Sequence, residues 1–234
     1  MEVVDCILPI FFEMNESNFF IVYIYAYLIY NISMNVKLNH KQKIREMMES
    51  QNGVIFTSDL AKFNIPREYL SLMEKNGEIE RISRGIYTNI DSLPDEMFFI
   101  QAIYKNTIFS HETALYLLDL SDRTPIDFSV TVPSGYNATA LKENRIKVYF
   151  INRKHLTLGL TNRKSGFGNP IRSYNMERTI CDIVRNRNQI DIQILNDALK
   201  RYALRKEKNI DLLYEYAKKL RVFKIIREYI ELML

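Results

Sequence analysis

Cysteine is scarce in this chain of 234 residues, which contains only Cys6 and Cys181, with no cluster of Cys or His around either. Two distant cysteines cannot form a disulfide framework, and they lack the paired spacing of a zinc site. The sequence therefore predicts a protein of a reducing compartment. We expect a cytoplasmic location and no structural metal.

Signatures of common catalytic and cofactor sites are also missing. The chain has no glycine-rich phosphate loop, no HExxH zinc motif and no D-x-D pair of carboxylates. The candidates for acid–base chemistry, His111, Glu112, Glu177 and Asp182, have no diagnostic spacing. We therefore predict no catalytic residues, no metal and no cofactor. The alternative hypothesis is an enzymatic C-terminal half that acts on nucleic acid.

Lys and Arg are absent from residues 1–33, which contain four acidic residues, so the rest of the chain has a net charge of +8. The apolar run FFIVYIYAYLIY, residues 19–30, is shorter than the ~20 residues that span a bilayer as a helix, and no basic segment precedes it. We predict no membrane span. We interpret residues 1–33 as a non-native extension, translated from AT-rich upstream sequence, with Met34 as the initiator. A genuine appended strand or an interfacial segment is the alternative.

Residues 34–90 have the pattern of a small, complete folding unit. Apolar residues recur at helical spacing in residues 40–50, and Thr57 and Ser58 suit the start of a short second helix, where free N–H groups need acceptors. A third helix is predicted over residues 67–76, closed by a glycine.

The end of this unit alternates polar and apolar residues on either side of a Ser-Arg-Gly turn, in residues 78–82 and 86–89, which predicts a β-hairpin. Three helices followed by a hairpin form a winged helix-turn-helix. The third helix of that fold fits the major groove of DNA.

The third helix and the hairpin, or wing, share basic side chains. Arg67, Ser71 and Lys75 recur every fourth residue and therefore lie on one helix face. Arg81 and Arg84 on the wing can contact phosphate or the minor groove. The candidate DNA-binding residues are Thr57, Ser58, Arg67, Ser71, Lys75, Arg81 and Arg84. Protein interaction is the alternative function of such a module.

The polar segment DSLPDE, residues 91–96, predicts a linker before a second domain of residues 97–234. That domain begins with two helices separated near Ser110. Short strands follow at residues 128–133, 146–151 and 169–175, and four amphipathic helices complete the chain. Asn175 can cap the first of these helices, which has Ile180, Ile183 and Val184 on one face. The predicted fold class is α+β: an N-terminal winged helix-turn-helix, then a mixed domain with a small sheet and a helical C-terminal tail.

The C-terminal helices are rich in basic residues: Lys200, Arg201, Arg205, Lys206, Lys208, Lys218, Lys219, Arg221, Lys224 and Arg227. Such side chains either only solvate the helices or form a surface for an acidic partner or flanking DNA.

Four segments in fixed order resemble the AbiEi family, the antitoxins of type IV toxin-antitoxin systems. They are GVIFTSDLAKFNIPREYLSLMEKNGEIERISRGIY, FSHETALYLLDLSDRTP, VTVP and YNMERTICDIVRNRN. The resemblance extends from about Asn39 to the C-terminus. One departure is Pro66, which stands where the family commonly has a Ser or Thr that caps the recognition helix.

The resemblance implies an antitoxin of an abortive-infection, phage-defence system that represses its own operon through the winged helix. Its partners would be operator DNA with inverted repeats and, functionally, an AbiEii-type nucleotidyltransferase-like toxin without a stable complex. The C-terminal domain would neutralise the toxin. The antitoxin-domain motif that the resemblance implies comprises Ser110, His111, Glu112, Glu177, Arg178 and Asp182.

Overall fold

The computed structural model describes residues 16–91 and 93–233. The chain divides into two compact units, Met1–Leu93 and Pro94–Leu234. The fold class is α+β, as predicted, with a small sheet in each unit. The first fifteen positions of the predicted extension lie outside the described residues.

The first helix, α1 (Glu16–Ser50), begins much earlier than the helix predicted over residues 40–50. No Gly or Pro occurs between its ends, so the sequence contains no residue that would stop the helix. Our predicted start marked only where amphipathic spacing begins. A strand within residues 16–33, one of our alternatives, is wrong.

The two ends of α1 differ in burial. Tyr27, Ile29 and Tyr30 are exposed, whereas Ile44 and Met48 are fully buried in the core of the first unit. The C-terminal end of the helix therefore supplies the packing contacts that the helical spacing predicts. Within the part of the chain that is described, no helix is both long and apolar enough to cross a membrane.

The rest of the first unit is the predicted winged helix, together with one strand that we missed. Its elements are β1 (Val54–Phe56), α2 (Thr57–Ala61), α3 (Glu68–Lys75), β2 (Ile79–Ser83) and β3 (Ile86–Asn89). The strands form an antiparallel sheet in the order β1-β3-β2. The β1 strand has three residues, too few for an alternating pattern to be visible in the sequence.

Apolar residues from all three helices and from the sheet form the core of this unit. The buried members are Ile44, Met47, Met48, Ile55, Leu60, Ile65, Leu70, Met73, Ile79 and Tyr87. Leu70 and Met73 face this core, so the opposite face of α3 is left to solvent. Phe63 is half exposed.

The second unit contains a mixed five-stranded sheet and seven of the helices described. Its elements are α4 (Glu96–Ile103), β4 (Ile108–Phe109), α5 (His111–Leu117), β5 (Ser129–Pro133), α6 (Thr139–Glu143), β6 (Lys147–Ile151), β7 (Leu160–Lys164), β8 (Pro170–Tyr174), α7 (Met176–Arg185), α8 (Ile192–Leu204), α9 (Ile210–Lys219) and α10 (Phe223–Met233). A 3-10 turn, Arg153–His155, follows β6.

The strand order is β6-β5-β4-β8-β7, with β5–β6 and β4–β8 parallel and the other two pairs antiparallel. The three predicted strands correspond to β5, β6 and β8. We missed β4 because it has two residues. We missed β7 because its sequence, LTNRK, is polar.

The helix α7 lies at the centre of the second unit. All of its residues from Glu177 to Val184 are buried, and Ile180, Ile183 and Val184 pack into a core shared with α5, α8, α9 and α10. These three positions are the apolar face that the sequence predicts. A helix surrounded in this way must also satisfy its polar residues internally, which explains the hydrogen bonds described below.

The predicted linker is too long at its C-terminal end, because Glu96 starts α4 and Asp95 is buried. The carboxylate of Asp95 accepts hydrogen bonds from Phe98 N (3.1 Å), Ser165 Oγ (2.5 Å) and Asn169 Nδ2 (2.8 Å). Asp95 therefore caps α4 and ties it to the loop between β7 and β8. This role was not visible in the sequence, because an acidic residue in a polar segment is typical of an exposed linker.

Candidate DNA-binding surface and buried polar cluster

The recognition helix α3 begins without a side-chain cap. Tyr69 N donates to the carbonyl of Pro66 (3.2 Å) and Leu70 N to that of Arg67 (3.1 Å). The N-cap residue, Arg67, makes no capping hydrogen bond through its side chain. The first turn therefore forms in spite of Pro66, and its leading N–H groups have no side-chain acceptor of the kind that Ser or Thr would provide.

The predicted face of α3 is exposed along its whole length. Arg67, Ser71 and Lys75 are all exposed, while Leu70 and Met73 on the other side are buried. With a rise of about 1.5 Å per residue, the three polar side chains cover about 12 Å of helix. That length suits insertion of the helix into the major groove.

The wing turn lies against the start of α2. Thr57 N donates to the carbonyl of Gly85 at 2.9 Å. Gly85 has a φ of +79°, and a Cβ at this position would lie 3.2 Å from Thr57 Oγ1. Glycine therefore permits both the left-handed turn and the close contact. The contact places Arg84, at the wing tip, beside Thr57 and Ser58.

The predicted capping role of Thr57 and Ser58 is wrong. The group that caps α2 is the carboxylate of Asp59, which accepts from Phe56 N at 3.3 Å. Phe56 occupies the N-cap position and its side chain has no hydrogen-bond acceptor. The carboxylate of Asp59, the third helical residue, therefore bonds back to the Phe56 N–H. The two hydroxyls are thus left for other partners.

The four basic candidates form no ion pair with any residue in the described ranges. Arg67, Lys75, Arg81 and Arg84 are exposed. Arg81 Nε donates to the carbonyl of Ser83 at 3.4 Å, which orients its guanidinium along the wing. Exposed cations without internal partners can each pair with a phosphate and release a counterion.

Glu78 joins α1 to the junction between α3 and the wing, a role that sequence reasoning missed. Its carboxylate accepts from Lys41 Nζ at 2.6 Å, from Arg45 at 2.7 Å and from Asn76 Nδ2 at 3.1 Å. The hydrogen bond from Lys41 is the largest cause that lowers the pKa of Glu78, which falls to about 2. Glu78 therefore fixes the end of the recognition helix on α1.

In the second unit, the first part of the antitoxin-domain motif forms a buried polar chain. His111 Nδ1 lies 2.9 Å from Ser110 Oγ, which also accepts from Thr131 Oγ1 at 2.8 Å. The imidazole stacks on the ring of Tyr149 with centroids 3.4 Å apart. Ser110 holds the N-cap position of α5, but its hydroxyl is used in this chain and makes no capping hydrogen bond.

The other ring nitrogen of His111 fixes its tautomer. Asn186 Nδ2 donates to the Asp182 carbonyl at 3.1 Å and lies 2.9 Å from His111 Nε2. Nε2 is therefore the acceptor and Nδ1 carries the proton. Burial, then Arg178 and Arg185, hold the pKa of His111 well below its ordinary value. His111 is a neutral packing residue, and Asn186 links the two halves of the motif.

Glu112 lies at the edge of the same region. Its carboxylate accepts from Ser129 Oγ at 2.9 Å and pairs with Lys147 Nζ at 3.2 Å. Burial first, and then the Glu112 charge, raise the pKa of Tyr149. Glu112 therefore ties α5 to the neighbouring strands β5 and β6.

Arg178 is fully buried and holds together several parts of the second unit. Its Nε donates to Asp182 Oδ2 at 2.9 Å, and its Nη1 donates to the carbonyls of His155 (2.7 Å) and Leu158 (2.8 Å). The guanidinium lies 4.2 Å from the centre of the Tyr174 ring. Burial raises the pKa of Asp182, an effect that Arg178 opposes.

Two residues around Arg178 are needed for this geometry. Asn175 Oδ1 accepts from Arg178 N at 3.1 Å, which confirms Asn175 as the cap of α7. Gly159 has a φ of +72°, and a Cβ there would lie 2.6 Å from Arg178 Cβ and 2.7 Å from Asn175 Oδ1. Only glycine fits this position without displacement of the helix start.

Glu177 is also buried and has a structural use. Its Oε1 accepts from Asn209 N at 3.1 Å and from the Tyr202 hydroxyl at 3.4 Å. It thereby fixes the loop between α8 and α9. His111, Glu177 and Asp182 each make internal hydrogen bonds, and the residues described here contain no group of three or more His, Cys, Asp or Glu that could hold a metal.

Many of the basic residues in the C-terminal helices have internal partners. Arg201 pairs with Asp122 and Asp197, Lys219 with Glu215 and Arg227 with Glu231. Arg205 donates to the carbonyls of Leu118 and Asp119, and Lys208 to that of Arg205. These contacts stabilise helix packing, so the basic surface is smaller than the residue count suggests.

A family model matches part of the first unit. Residues 42–90 match the model of the "Transcriptional regulator, AbiEi antitoxin" family. The matched segment runs from the packed end of α1 through the wing. No curated protein matches the chain. This match supports a regulator or antitoxin role.

One solved structure with a similar fold is the RV2827C protein from Mycobacterium tuberculosis. It has a TM-score of 0.54 and 12% sequence identity, and the match covers 77% of this chain and 71% of that one. At this identity the likeness concerns the fold alone. Over residues 42–90, the family match confirms the resemblance to the AbiEi antitoxin family.

Proposed function

We propose that this protein is a type IV antitoxin with two activities. The winged helix of the first unit binds inverted repeats in operator DNA and represses the operon. The second unit counteracts a nucleotidyltransferase-like toxin. Both activities belong in the cytoplasm, where DNA and toxin are found.

The observation that carries the DNA-binding part is the exposed basic face of α3 beside the wing tip. Arg67, Ser71 and Lys75 point away from the core, and Arg84 is exposed next to the start of α2. This surface falls inside the segment that matches the AbiEi regulator family. Cations on the recognition helix and the wing together are typical of winged-helix DNA binding.

The antitoxin part is supported by the sequence resemblance and by the way the second unit is built. The motif residues form its internal framework rather than an exposed catalytic group, so they stabilise a surface that other residues provide. A protein that neutralises a toxin without chemistry of its own needs such a stable surface.

Titration of a promoter fragment of the chain's own operon tests the proposal. Arg67→Ala should weaken operator binding by about 1–3 kcal/mol, as loss of a base-edge contact does. Arg84→Ala should weaken specific and non-specific binding alike and reduce the salt dependence by about one counterion, as loss of a phosphate contact does. Lys43→Ala, which removes a cation already paired with Glu46 on α1, is the charge-matched control and should bind like the wild type.

Equal operator affinity of wild type, Arg67→Ala and Arg84→Ala would remove this surface from the proposal. Equal weakening by Lys43→Ala would show that net charge, rather than the α3 face, determines binding.

A further inference from the structure

A basic cleft of about 470 Å³ lies within the second unit. Three segments line it: the end of β6 with the 3-10 turn that follows, the C-terminal end of α7, and the C-terminal end of α9 with the next two residues. The volume falls in the range of small-molecule sites in proteins. None of the proposed DNA-binding residues lies in it.

The lining is strongly cationic. The cleft residues are Ile151, Asn152, Lys154, His155, Arg185, Lys219, Leu220 and Arg221, a set with four cations and no carboxylate. Lys219 pairs with Glu215 at 2.6 Å, and no ion pair to a described residue involves Lys154, Arg185 or Arg221. Like charges gathered in one cleft repel each other, so they favour an anion between them.

The behaviour of His155 agrees with a positive potential in the cleft. Burial lowers its pKa first, and the charges of Lys154, Arg178, Arg185 and Lys219 lower it further. Arg178 lies behind this wall, where Nη1 donates to the His155 carbonyl and Nη2 has no hydrogen-bond partner in the described residues. The wall of the cleft is therefore fixed in place by a buried cation.

Helix ends alone do not account for this cluster. Arg185 and Lys219 lie in the last turns of α7 and α9, where any cation complements the helix dipole. Lys154 lies in the 3-10 turn and Arg221 lies two residues past the end of α9, so neither belongs to the last turn of an α-helix. Their convergence on the same cleft needs a different reason.

Arg221 extends from a defined backbone turn at the end of α9. It has a φ of +62°, and Val222 N donates back to the Ala217 carbonyl at 2.9 Å. This is the left-handed position of a helix C-terminal motif, where glycine is the usual residue. An arginine at this position costs conformational energy that glycine would avoid. Arg145 has the same conformation after α6, with a φ of +57°, so the conformation fixes the backbone at Arg221 and it is the position of Arg221 in the cleft that indicates a ligand.

We propose that the basic cleft binds the phosphate chain of a nucleotide. Arg185 and Arg221 suit the recognition, because guanidinium groups bind phosphate oxygens in pairs. Lys154 adds charge at the rim and His155 adds a further donor. Two or more linked phosphates match the number of cations, and the volume leaves room for one mononucleotide.

Calorimetric titration of the full chain with ATP, inorganic triphosphate and adenosine tests this proposal. ATP and triphosphate should bind and adenosine should not. Arg221→Gly should weaken ATP binding at least tenfold while it maintains or raises the melting temperature, because glycine relieves the left-handed backbone. Arg185→Gln should weaken ATP binding to a similar degree. Lys206→Gln, an exposed cation outside the cleft, is the matched control and should keep the wild-type affinity.

Three results would overturn the proposal. The first is no binding of ATP or triphosphate to the wild type, and the second is an Arg221→Gly variant with wild-type affinity. The third is a DNA duplex that displaces ATP with the same dependence on Arg221, which would make the cleft a nucleic-acid backbone site. None of these results bears on operator binding through α3, so the two proposals fail independently.

Discussion

Arg67 and Arg178 carry the same side chain in opposite environments. Arg67 is exposed at the start of α3 and forms no ion pair with a described residue, whereas Arg178 is fully buried and donates to Asp182, His155 and Leu158. In the first unit, the cations of α3 and the wing are exposed and form no ion pair with a described residue, although α1 contains paired cations such as Lys41 and Arg45. In the second unit, Arg178 is buried and its hydrogen bonds hold the core together.

The difference separates two meanings of a sequence motif. The ERTICD segment stands out in the sequence, yet its charged residues are internal structural groups. The residues of α3 form no distinctive sequence motif. They are candidates for DNA binding because they are exposed on one face of the helix. A motif can therefore mark the scaffold of a function while the working surface is elsewhere.

The largest effect that tests this comparison is expected from Arg178→Ala. Its loss leaves Asp182 and two backbone carbonyls buried without their partner, which costs about 3–5 kcal/mol. Chemical denaturation should show this as a lower free energy of unfolding of the second unit, and growth rescue from the toxin should fall with it. Arg187→Ala removes an exposed arginine that donates only to the Val184 carbonyl, and it should cost about 0.5 kcal/mol or less.

A double variant, Arg178→Met/Asp182→Leu, sharpens that test. It removes both charges, so part of the lost stability should return. Wild-type stability of Arg178→Ala would contradict the structural role of this arginine.

A smaller effect is expected from Gly159→Ala. The new Cβ would overlap with Arg178 and Asn175 at the start of α7, in addition to the strain of a positive φ. Gly135→Ala is the matched control, because its φ is also positive, at +87°, and nothing lies within 4 Å of the new Cβ. Gly159→Ala should be less stable than Gly135→Ala by about 1–3 kcal/mol in thermal or urea unfolding. Equal losses of stability in the two variants would mean that backbone strain alone accounts for the loss. The start of α7 would then tolerate displacement by the new Cβ.

The helical parts of both units could be predicted from the sequence because their signals are local. Spacing located the buried faces of α3 and α7, and Asn175 was recognised as a cap from the residues that follow it. These inferences need only neighbours within one or two helical turns.

The contacts that define the buried cluster could not be predicted. Arg178 finds the carbonyls of His155 and Leu158 some twenty residues away, and Gly159 matters only because α7 starts against it. Asn186 joins His111 across 75 positions. Such pairings depend on how strands and helices pack, and no periodicity or spacing encodes them. The strands β4 and β7 were missed for the related reason that sheet pairing, not local pattern, creates them.

The smallest effect concerns Glu78, whose carboxylate anchors the end of α3 to α1. Lys41 is the largest cause that lowers its pKa, to about 2 from an ordinary 4.5. An acid with a lowered folded pKa stabilises the fold above its unfolded pKa, and the gain is lost as the pH falls towards the folded value. Wild type should therefore melt at a higher temperature than Glu78→Gln at pH 6, and the gap should close as the pH falls from about 4.5 towards 2.5. A gap that is constant over this range would exclude ionised Glu78 as the anchor.

Separate use of the two units is tested most directly by the double variant Arg67→Ala/Arg84→Ala in cells that express the cognate toxin. Repression of a reporter behind the operator and rescue of growth are measured together, at antitoxin levels matched to the wild type. We predict that repression is lost and rescue is retained, because the altered side chains are exposed and contribute nothing to the core of either unit. Loss of rescue at equal abundance would contradict this account and would make DNA occupancy itself the antitoxic act.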